Sequence, residues 1–529
     1  MAAISFNDSN DDAPLHIGQC HVQQEHRWGG VADILFRDLD RLLRDAGKDG
    51  GRLGPSVYDT AMVARLAPPV GGPNPALEWL LSQQQLDGGW GSPVFPAGRH
   101  LPTLAAVLAL RTRNDTRARE SCAAGLDFLR TQSKDWETIP DDLPIALELT
   151  FPALLADAIR QGVDIAHEPY DQLAQIGRHK RSRIATMPSL RGTPAAYAWE
   201  GHGTGLSTEL VDAAGSVGGS PSATAAWMAA TVGDPRMMRE RRAAAEYLRR
   251  AADSTGCGVP GVLPHAYPVE RFEQTWVMFS VLSAGLFSRS EIRASLSAKL
   301  DELAAGARPD GIGYSDVFAS DGDDTSCFVA VLREGGRKVD AELVRRFEGK
   351  EFFFTYVGER NPSVSTNAHA LFALSLFNQD SPRARQFLAG RQRGGRFLED
   401  KWHTSWFYTT HRAILALGHP DHAQSLDRAL GALLTHQHED GGFGSTPRSS
   451  CLETAHAYLA LRALRNKGLG GEGLRRSMAR ASKWMLSKYR PFGPDHEPLW
   501  IGKELYAAPR VDRATELSAL LAAVLERDE

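Results

Sequence analysis

The amino-acid sequence predicts an all-α protein built from two α/α barrels. Segments rich in alanine and leucine alternate with turns of glycine, proline and aspartate along most of the chain. Apolar residues recur at the spacing of a helix, and no convincing run of alternating apolar and polar residues indicates a strand. The 529 residues exceed the size of one ordinary domain, so we expect two large domains.

Helical periodicity is clearest near the two ends of the sequence. In residues 31–43 the apolar positions 31, 34, 35, 39, 42 and 43 share one helical face. The last predicted helix has the regular apolar spacing of an amphipathic helix, with Leu517, Leu520, Leu521, Val524 and Leu525 on one face.

A short repeat indicates how the helices are arranged. Residues 84–91 read Q-Q-L-D-G-G-W-G, and residues 437–444 read Q-H-E-D-G-G-F-G. The glycines permit left-handed turns, the aromatic ring fills the gap between successive helices, and the glutamine can bond to open helix ends. Such helix–turn–helix units close into a double ring of helices, and the wide separation of the two copies predicts two rings.

The composition narrows the classes of function. A net charge of −4 leaves no global basic excess, so we expect no nucleic-acid partner. The five cysteines include no C-x-x-C pair, which argues against a disulfide framework or a structural zinc site and favours the reducing cytoplasm. No apolar stretch approaches 18 residues, and we therefore expect no transmembrane span.

The chemistry centres on three carboxylates, Asp321, Asp323 and Asp324, which precede an apolar run at residues 327–332. One interpretation is helix capping, since carboxylates at a helix N-terminus gain about 0.3–1 kcal/mol at exposed sites. The other is a Brønsted acid, because burial or a neighbouring negative charge can raise a pKa by several units, each about 1.36 kcal/mol. A closed cavity favours the acid, and an open surface favours the cap. A calcium loop fits poorly, since its sixth and twelfth positions hold Ser326 and Leu332.

Several short blocks, taken together and in order, resemble the class II terpene cyclases, and in particular the bacterial members that make bicyclic diphosphates. The resemblance extends from about residue 30 to residue 515. Its blocks are residues 321–325 (matching D-x-D-D-T), 56–61 (S-x-Y-D-T-A), 148–155 (E-x-x-x-P-x-L-L), 220–225, 267–273, 400–405 and 499–506.

The resemblance implies a β domain of residues 1–45 and 295–529, a γ domain of residues 46–294 inserted into it, and an active site in the cavity between them. It implies that Asp323 is the general acid that protonates a terminal alkene, and that Asp321 and Asp324 tune and orient it. Asn367 matches a family position that hydrogen-bonds the acid.

The carbocation that protonation creates needs electron-rich walls, and aromatic faces attract cations most strongly when water is excluded. Trp402, Trp406, Phe407 and Tyr408 are candidates for such walls, with ordinary core packing as the alternative. Tyr197 is a further candidate for the cavity lining. It stands where the plant relatives of the ent series carry a histidine that positions the deprotonating water, which indicates a different quencher. His403 and His411 are candidate bases, although satisfied core histidines are the commoner case.

The resemblance also implies Mg²⁺ as cofactor and a prenyl diphosphate as the bound partner. Glu137, Asp141 and Asp142 correspond to the acidic segment that binds the metal through water in relatives, and Glu148 lies near it. Lys503 and Arg183 match basic family positions that could grip the diphosphate. For all six residues, a solvated surface position is the alternative. The resemblance is compatible with a homodimer.

The D-D-x-x-D motif of ionising cyclases is absent, because Ile145 stands where its last aspartate belongs, so the product should keep its diphosphate. The implied reaction is cyclisation of geranylgeranyl diphosphate to a copalyl-type labdadienyl or a halimadienyl diphosphate. The alternatives are a drimenyl diphosphate synthase acting on farnesyl diphosphate, a squalene-type cyclase, a protein prenyltransferase subunit, and a non-catalytic toroid that binds a partner.

Overall fold

The structure is a computed structural model of the chain, and it describes residues 28–136, 138–139, 143–359, 361–418, 421–489 and 497–528. These residues are largely helical, which confirms the all-α class. In the first half of the chain the helices are α1 (Trp28–Asp45), α2 (Val57–Leu66), α3 (Asn74–Ser82), α4 (His100–Leu110), α5 (Thr116–Gln132), α6 (Leu147–Arg160), α7 (Asp171–Ile184), α8 (Pro194–Tyr197), α9 (Pro221–Ala230) and α10 (Met238–Ser254).

In the second half they are α11 (Glu270–Ser283), α12 (Arg293–Ala305), α13 (Gly322–Glu334), α14 (Glu342–Arg345), α15 (Val364–Ser375), α16 (Pro382–Gly390), α17 (Trp406–Ala416), α18 (Ala423–Thr435), α19 (Cys451–Asn466), α20 (Glu472–Lys488) and α21 (Pro509–Asp528). Three short antiparallel ribbons pair β1 (Pro55–Ser56) with β2 (Leu263–Pro264), β3 (Gln392–Arg393) with β4 (Arg396–Phe397), and β5 (Trp500–Ile501) with β6 (Leu505–Tyr506).

Six helices form a closed inner ring, here called the first ring. Each of α11, α13, α15, α17, α19 and α21 packs against the next, and α21 packs back against α11. Outside this ring lie α1, α12, α14, α16, α18 and α20, so the first ring is the inner layer of an α/α barrel. The N-terminal helix α1 belongs to this barrel, because it packs against α12 and α21.

A second ring is built from the residues between α1 and α11. Helices α2, α4, α6 and α9, together with the short 3-10 turn Trp199–Gly201, contact one another in a cycle. Helices α3, α5, α7 and α10 pack against its outside. No helix in the described part of the chain is both long enough and apolar enough to cross a membrane.

The predicted C-terminal boundary of the insert, residue 294, is wrong. Helix α11 ends at Ser283 and is a member of the first ring, packed between α13 and α21. The first turn of α11 also binds the segment that follows α1. There the Glu273 carboxylate accepts hydrogen bonds from the backbone N–H groups of Gly47 (2.6 Å) and Arg52 (2.9 Å). The insert therefore begins and ends at neighbouring points, and it ends before Glu270.

The glutamine–glycine–aromatic repeats serve the structural role predicted for them. Gln84 Nε2 donates to the carbonyl of Gly88 (2.8 Å), and Gln437 Nε2 donates to that of Gly441 (2.8 Å). Both glycines have positive φ, 86° and 96°. Each glutamine also reaches a carbonyl of the next outer helix, in α5 and α20. The repeats tie successive helix pairs together in both barrels.

Candidate active site

The acid cluster lies at the N-terminus of α13, where the loop from the preceding turn enters the first ring. Asp321 caps the helix, because its carboxylate accepts from the backbone N–H groups of Asp323 (3.0 Å) and Asp324 (2.8 Å). All three aspartates are buried, with exposures of 3–7%. Asp321 therefore has the capping role, and the burial of all three carboxylates meets the condition that favours the acid interpretation.

Burial decides the protonation of the two flanking carboxyls. It raises the pKa of Asp321 to about 7, although hydrogen bonds from Asp324 oppose the shift. Burial also raises the pKa of Asp324 well above its ordinary value, and the neighbouring Asp321 raises it further. One carboxyl of this pair accordingly keeps a proton near neutral pH, as expected for like charges that share a dry site.

Asp323 is distinguished from its neighbours by a histidine. His369 Nδ1, on α15 of the first ring, lies 2.7 Å from Asp323 Oδ1. Its imidazole is 1% exposed and makes T-shaped contacts with the rings of Trp276 and Phe279 from α11. The ring is thus fixed in one orientation against the carboxyl, as a residue that orients an acid must be.

Asn367 does not make the expected bond to the acid. Its Oδ1 accepts from the Phe353 N–H (2.7 Å), and its Nδ2 donates to the carbonyls of Phe353 (3.1 Å) and Ser363 (2.8 Å). Two residues along a helix turn the side chain by about 200°. Since His369 faces α13, Asn367 points the other way and holds the loop before α15. Because residues 367 and 369 face opposite sides of α15, the sequence could have indicated that only one of them contacts the acid. That reasoning could have identified His369.

The acid opens onto a cavity between the two rings, here called the chamber. Both barrels contribute to its walls, and Asp321, Asp323 and Asp324 all line it. Most of the remaining wall is aromatic: Tyr197, Phe272, Trp276, Tyr314, Phe318, Tyr356, Trp402, Trp500 and Tyr506. Two of these residues, Tyr197 and Trp402, are among the predicted wall residues.

A second pair of polar side chains in the chamber wall comes from the inserted barrel. Tyr197 Oη lies 2.9 Å from His265 Nδ1, and the His265 ring packs against Tyr506 at 3.9 Å between centroids. Burial, reinforced by the nearby Lys503 ammonium, lowers the pKa of His265 to about 3, so its imidazole is neutral. The sequence analysis did not select His265, although it stands two residues before the matched block at 267–273.

Comparisons with known proteins find relatives that match nearly the whole chain. The (+)-kolavenyl diphosphate synthase of Herpetosiphon aurantiacus is 39% identical over 513 residues, which cover 94% of this chain and 98% of that protein. The type B diterpene cyclase of Mycobacterium tuberculosis is 32% identical over 497 residues, 89% of this chain and 96% of the relative. No family model matches the chain.

The chain belongs to the class II terpene cyclases. Among solved structures, the ent-copalyl diphosphate synthase from Streptomyces platensis superposes with a TM-score of 0.73 at 29% identity, covering 93% of this chain and 99% of that one. The protein is therefore an enzyme, a class II diterpene cyclase, and the resemblance inferred from the sequence is confirmed.

In this class II cyclase three of the predicted wall aromatics lie outside the chamber. Trp406 and Phe407 stack on each other at 3.8 Å, and Phe407 packs against Phe443 of the repeat turn. Tyr408 is fully buried inside the first ring and stacks on His403 at 4.3 Å. Consecutive helical residues are separated by about 100°, so a run of three aromatics cannot face one wall.

Lys503 is not placed to grip a diphosphate. The side chain is fully buried, and its ammonium donates to Glu200 Oε1 (2.6 Å), Ser220 Oγ (2.7 Å) and Ser222 Oγ (2.8 Å). These three bonds use all of its donors. In this cyclase Lys503 instead joins the ribbon β5–β6 of the first barrel to the inserted barrel.

The remaining predicted ligand residues are not gathered at one point. Arg183 is exposed near the end of α7 and does not line the chamber. Glu148 is buried and forms an ion pair with Lys180 at 2.5 Å, so it does not lie open to a metal. Glu137, Asp141 and Asp142 lie outside the described residues. Within the part of the chain that the structure describes, no cluster of three or more metal-ligating side chains is present.

Proposed function

We propose that this cyclase protonates the terminal alkene of geranylgeranyl diphosphate and returns a bicyclic C20 diphosphate. The observation that carries the proposal is Asp323, bonded to His369 and opening onto an aromatic chamber buried between two rings. The relatives named kolavenyl, copalyl and labda-7,13-dienyl diphosphate synthases support a C20 product over the C15 alternative.

Asp323 supplies the proton that starts the reaction. With its own proton on Nδ1, His369 donates to Oδ1 and leaves Oδ2 to carry the acidic proton. The terminal alkene takes that proton with its π electrons, and two further alkenes attack in turn to close two rings. The charge ends on a tertiary carbon, where the faces of residues such as Trp276, Trp402 and Trp500 stabilise it.

We assign the final deprotonation to the Tyr197–His265 pair. A neutral imidazole keeps one lone pair that can accept a proton, and the hydrogen bond between Tyr197 Oη and His265 Nδ1 lets the two groups share it. His265 Nε2 is buried and has no hydrogen-bond partner among the described residues. The pair takes one proton from carbon for each proton that Asp323 gives, so the substrate and product have the same formula.

A polar pocket beside the chamber is our candidate for the diphosphate site. Ile501 lines both cavities, and the polar pocket also contains Leu143, Arg391 and Lys401. The Lys401 ammonium contacts the Glu359 carboxylate and lies 4.8 Å from the Trp402 ring, which itself forms part of the chamber wall. A substrate with its alkene end at Asp323 could place its anionic end here.

The acidic residues that precede Leu143 in the sequence have the donor chemistry that fits Mg²⁺. Leu143 lines the pocket and directly follows the acidic residues Asp141 and Asp142, and Mg²⁺ prefers carboxylate oxygens and water. Glu137, Asp141 and Asp142 are the residues that we propose would hold the ion. When bound there, Mg²⁺ would neutralise part of the diphosphate charge.

The test is incubation of the purified protein with geranylgeranyl or farnesyl diphosphate and Mg²⁺, followed by mass spectrometry of the intact products. We expect a cyclic C20 diphosphate from the first substrate and little turnover of the second. The matched variants are Lys401→Met and, as control, the exposed Lys338→Met. Lys401→Met should raise KM by about tenfold or more with a smaller effect on kcat. Preferred turnover of farnesyl diphosphate, or release of the diphosphate, would refute the proposal.

A further inference from the structure

Gly502 lies in the turn between β5 and β6, where the first barrel meets the Tyr197–His265 pair of the insert. The turn consists of residues 502–504. A Cβ atom added at Gly502 would lie 2.8 Å from His265 Nδ1 and 3.1 Å from Cε1 of the same ring. Cβ atoms in folded proteins do not approach other atoms closer than 3.0 Å. A residue without a side chain at this position therefore leaves His265 the space that it occupies.

The backbone of Gly502 does not itself require glycine. Its φ lies outside the left-handed region that favours this residue. Its N–H donates to the carbonyl of Glu504 (2.9 Å), and its carbonyl accepts from the N–H of Ile145 in the insert (2.8 Å). Any amino acid other than proline could make both bonds. The absence of a side chain is thus explained by the neighbouring imidazole and not by the conformation of the turn.

The turn is bonded to the insert on several sides and cannot easily retreat from the imidazole. The ammonium of Lys503 makes three buried hydrogen bonds to the insert. Glu504 Oε1 accepts from Ser56 Oγ (2.5 Å) and from the backbone N–H of Tyr58 (2.9 Å). A shift of the turn would break several of these bonds, whereas His265 can move by rotation about its side-chain bonds. A side chain at position 502 would therefore displace the ring of His265.

The displacement would act on the nitrogen that bonds to Tyr197. Tyr197 Oη lies 2.9 Å from His265 Nδ1, and Tyr506 packs on the imidazole at 3.9 Å between centroids. To reach the 3.4 Å at which ordinary contacts begin, Nδ1 would have to move by about 0.6 Å from an added Cβ. Such a movement lengthens or bends a hydrogen bond whose normal range ends at about 3.2 Å. Since His265 also lines the chamber, the base and the chamber wall would change together.

The next residue of the turn contacts the other member of the pair. Lys503 Nζ lies 4.3 Å from the centroid of the Tyr197 ring, an attractive contact between a cation and an aromatic face. Gly502 and Lys503 thus lie against His265 and Tyr197, although the two pairs of residues belong to different barrels. The Tyr197–His265 pair is placed by the first barrel as well as by the insert that carries it.

We propose that Gly502 is a positioning residue that fixes the Tyr197–His265 pair and so decides which proton the final cation loses. The inference rests on the proposed function of this pair as the terminating base. With the imidazole proton on Nδ1 and donated to Tyr197 Oη, the lone pair of Nε2 takes a proton from carbon. The electron pair of the broken C–H bond becomes the new alkene, and the imidazolium later returns its proton to solvent. Because the bond at Nδ1 fixes the ring plane, it also fixes which carbon Nε2 can reach.

Product analysis tests the inference with three variants. The matched control for Gly502→Ala is Gly431→Ala on α18, where an added Cβ meets no atom within 4 Å. We expect Gly502→Ala to consume geranylgeranyl diphosphate within about tenfold of the normal rate and to divert about half or more of the product to other alkene isomers or hydroxylated diphosphates. Gly431→Ala should give the normal product, and His265→Ala should give an altered one.

The failures of the two proposals are distinguishable. A normal product from His265→Ala would contradict the proposed function of the pair, and with it the role of Gly502. An altered product from His265→Ala beside a normal product from folded Gly502→Ala would contradict the present inference alone.

Thermal unfolding without substrate measures the clash itself. Gly502→Ala should lower Tm by about 2 °C or more, because the added methyl group overpacks the site. In the His265→Ala background the ring is gone, so adding Gly502→Ala should cost much less and leave the product mixture of His265→Ala unchanged. If Gly502→Ala alone does not fold, the double variant should. An equal loss of Tm in both backgrounds, or a double variant that is unfolded while His265→Ala folds, would overturn the inference.

Discussion

His369 Nδ1 lies 2.7 Å from Asp323 Oδ1, and this bond separates the proposed catalytic carboxyl from the two that flank it. The bond crosses between two neighbouring helices of the first ring, α13 and α15. Asp321 is occupied with capping α13, and Asp324 lies against Asp321. Only the middle aspartate combines a fixed hydrogen bond from another helix with a place in the wall of the chamber.

Positions 367 and 369 provide a matched test of this assignment. We expect His369→Leu to fold and to lower kcat by about 10²-fold or more, because the acid loses its orienting donor. Asn367→Ala should leave kcat of the folded enzyme nearly unchanged but destabilise it by about 1–3 kcal/mol, because buried backbone groups lose their partners. Urea unfolding and steady-state kinetics on both variants check the pair of outcomes. An inactive but stable Asn367→Ala enzyme would return the orienting role to the asparagine.

The raised pKa of Asp321 predicts a pH dependence of stability with a defined sign. Its pKa is about 7 in the folded protein against an ordinary value of 3.8, so the folded state binds the proton more tightly. Stability contributed by this group is present at low pH and is lost as the pH rises from about 4 to about 7. Asparagine can cap a helix but does not ionise.

The measurement is the difference in Tm between Asp321→Asn and the natural protein as a function of pH. We expect the variant to gain relative stability with rising pH and the difference to level off above about pH 7. A difference that is constant from pH 4 to pH 8, or that falls with pH, would show that the Asp321 carboxyl is not held in its protonated form.

The buried Lys503–Glu200 ion pair predicts a loss of stability and not a loss of substrate binding. Lys503→Met leaves the Glu200 carboxylate buried without its cation, which typically costs about 3–5 kcal/mol. Adding Glu200→Gln should recover a large part of that loss, since the uncompensated charge is then gone. Chemical unfolding measures both changes. A Lys503→Met enzyme of normal stability with a strongly raised KM would instead support diphosphate binding by this lysine.

The Tyr197–His265 pair predicts a change of product without loss of substrate consumption. In His265→Phe the acid is untouched, so cyclisation still begins, but the cation must lose a proton elsewhere or capture water. We expect new alkene isomers or hydroxylated diphosphates and a total rate within about tenfold of normal. Product analysis should show no such change in the exposed control His179→Phe. An unaltered product spectrum from His265→Phe would exclude the pair as the terminating base.

The parts of this enzyme that the sequence predicted are those encoded by contiguous residues. The acid cluster, its helix cap and the following apolar run lie within twelve positions, 321–332, so local rules describe them. The repeat turns at residues 84–91 and 437–444 likewise carry their glycines, glutamine and aromatic ring together. Each such unit forms the same hydrogen bonds wherever it stands, and for that reason it predicted both barrels.

The walls of the chamber could not be predicted in this way. Phe272, Tyr314, Tyr356 and Trp500 come from α11, two loops and β5, and only the closure of the two rings brings them together. A run of consecutive aromatic residues did not predict the cavity wall, because the side chains of the run that begins at Trp406 point in different directions around one helix. Tertiary packing, which no short window of sequence contains, decides which aromatics face the cation.

The predictions for Lys503 and for the end of the insert differ from the structure for a related reason. Fully buried lysines are rare, so a lysine in a matched block is expected at an exposed ligand site. The partner that makes burial tolerable, Glu200, is some three hundred positions away in sequence. The boundary was misplaced because α11 belongs to the first ring through contacts with α13 and α21, which only the assembled barrel shows.

The most direct test of the account is the reaction in deuterium oxide with geranylgeranyl diphosphate and Mg²⁺. Asp323 exchanges its proton with solvent between turnovers, so each product molecule should carry a single deuterium on carbon and should retain its diphosphate, and Asp323→Asn should form no product. Cyclic product free of deuterium, product that has lost its diphosphate, or normal turnover by Asp323→Asn would contradict proton-initiated cyclisation by this aspartate.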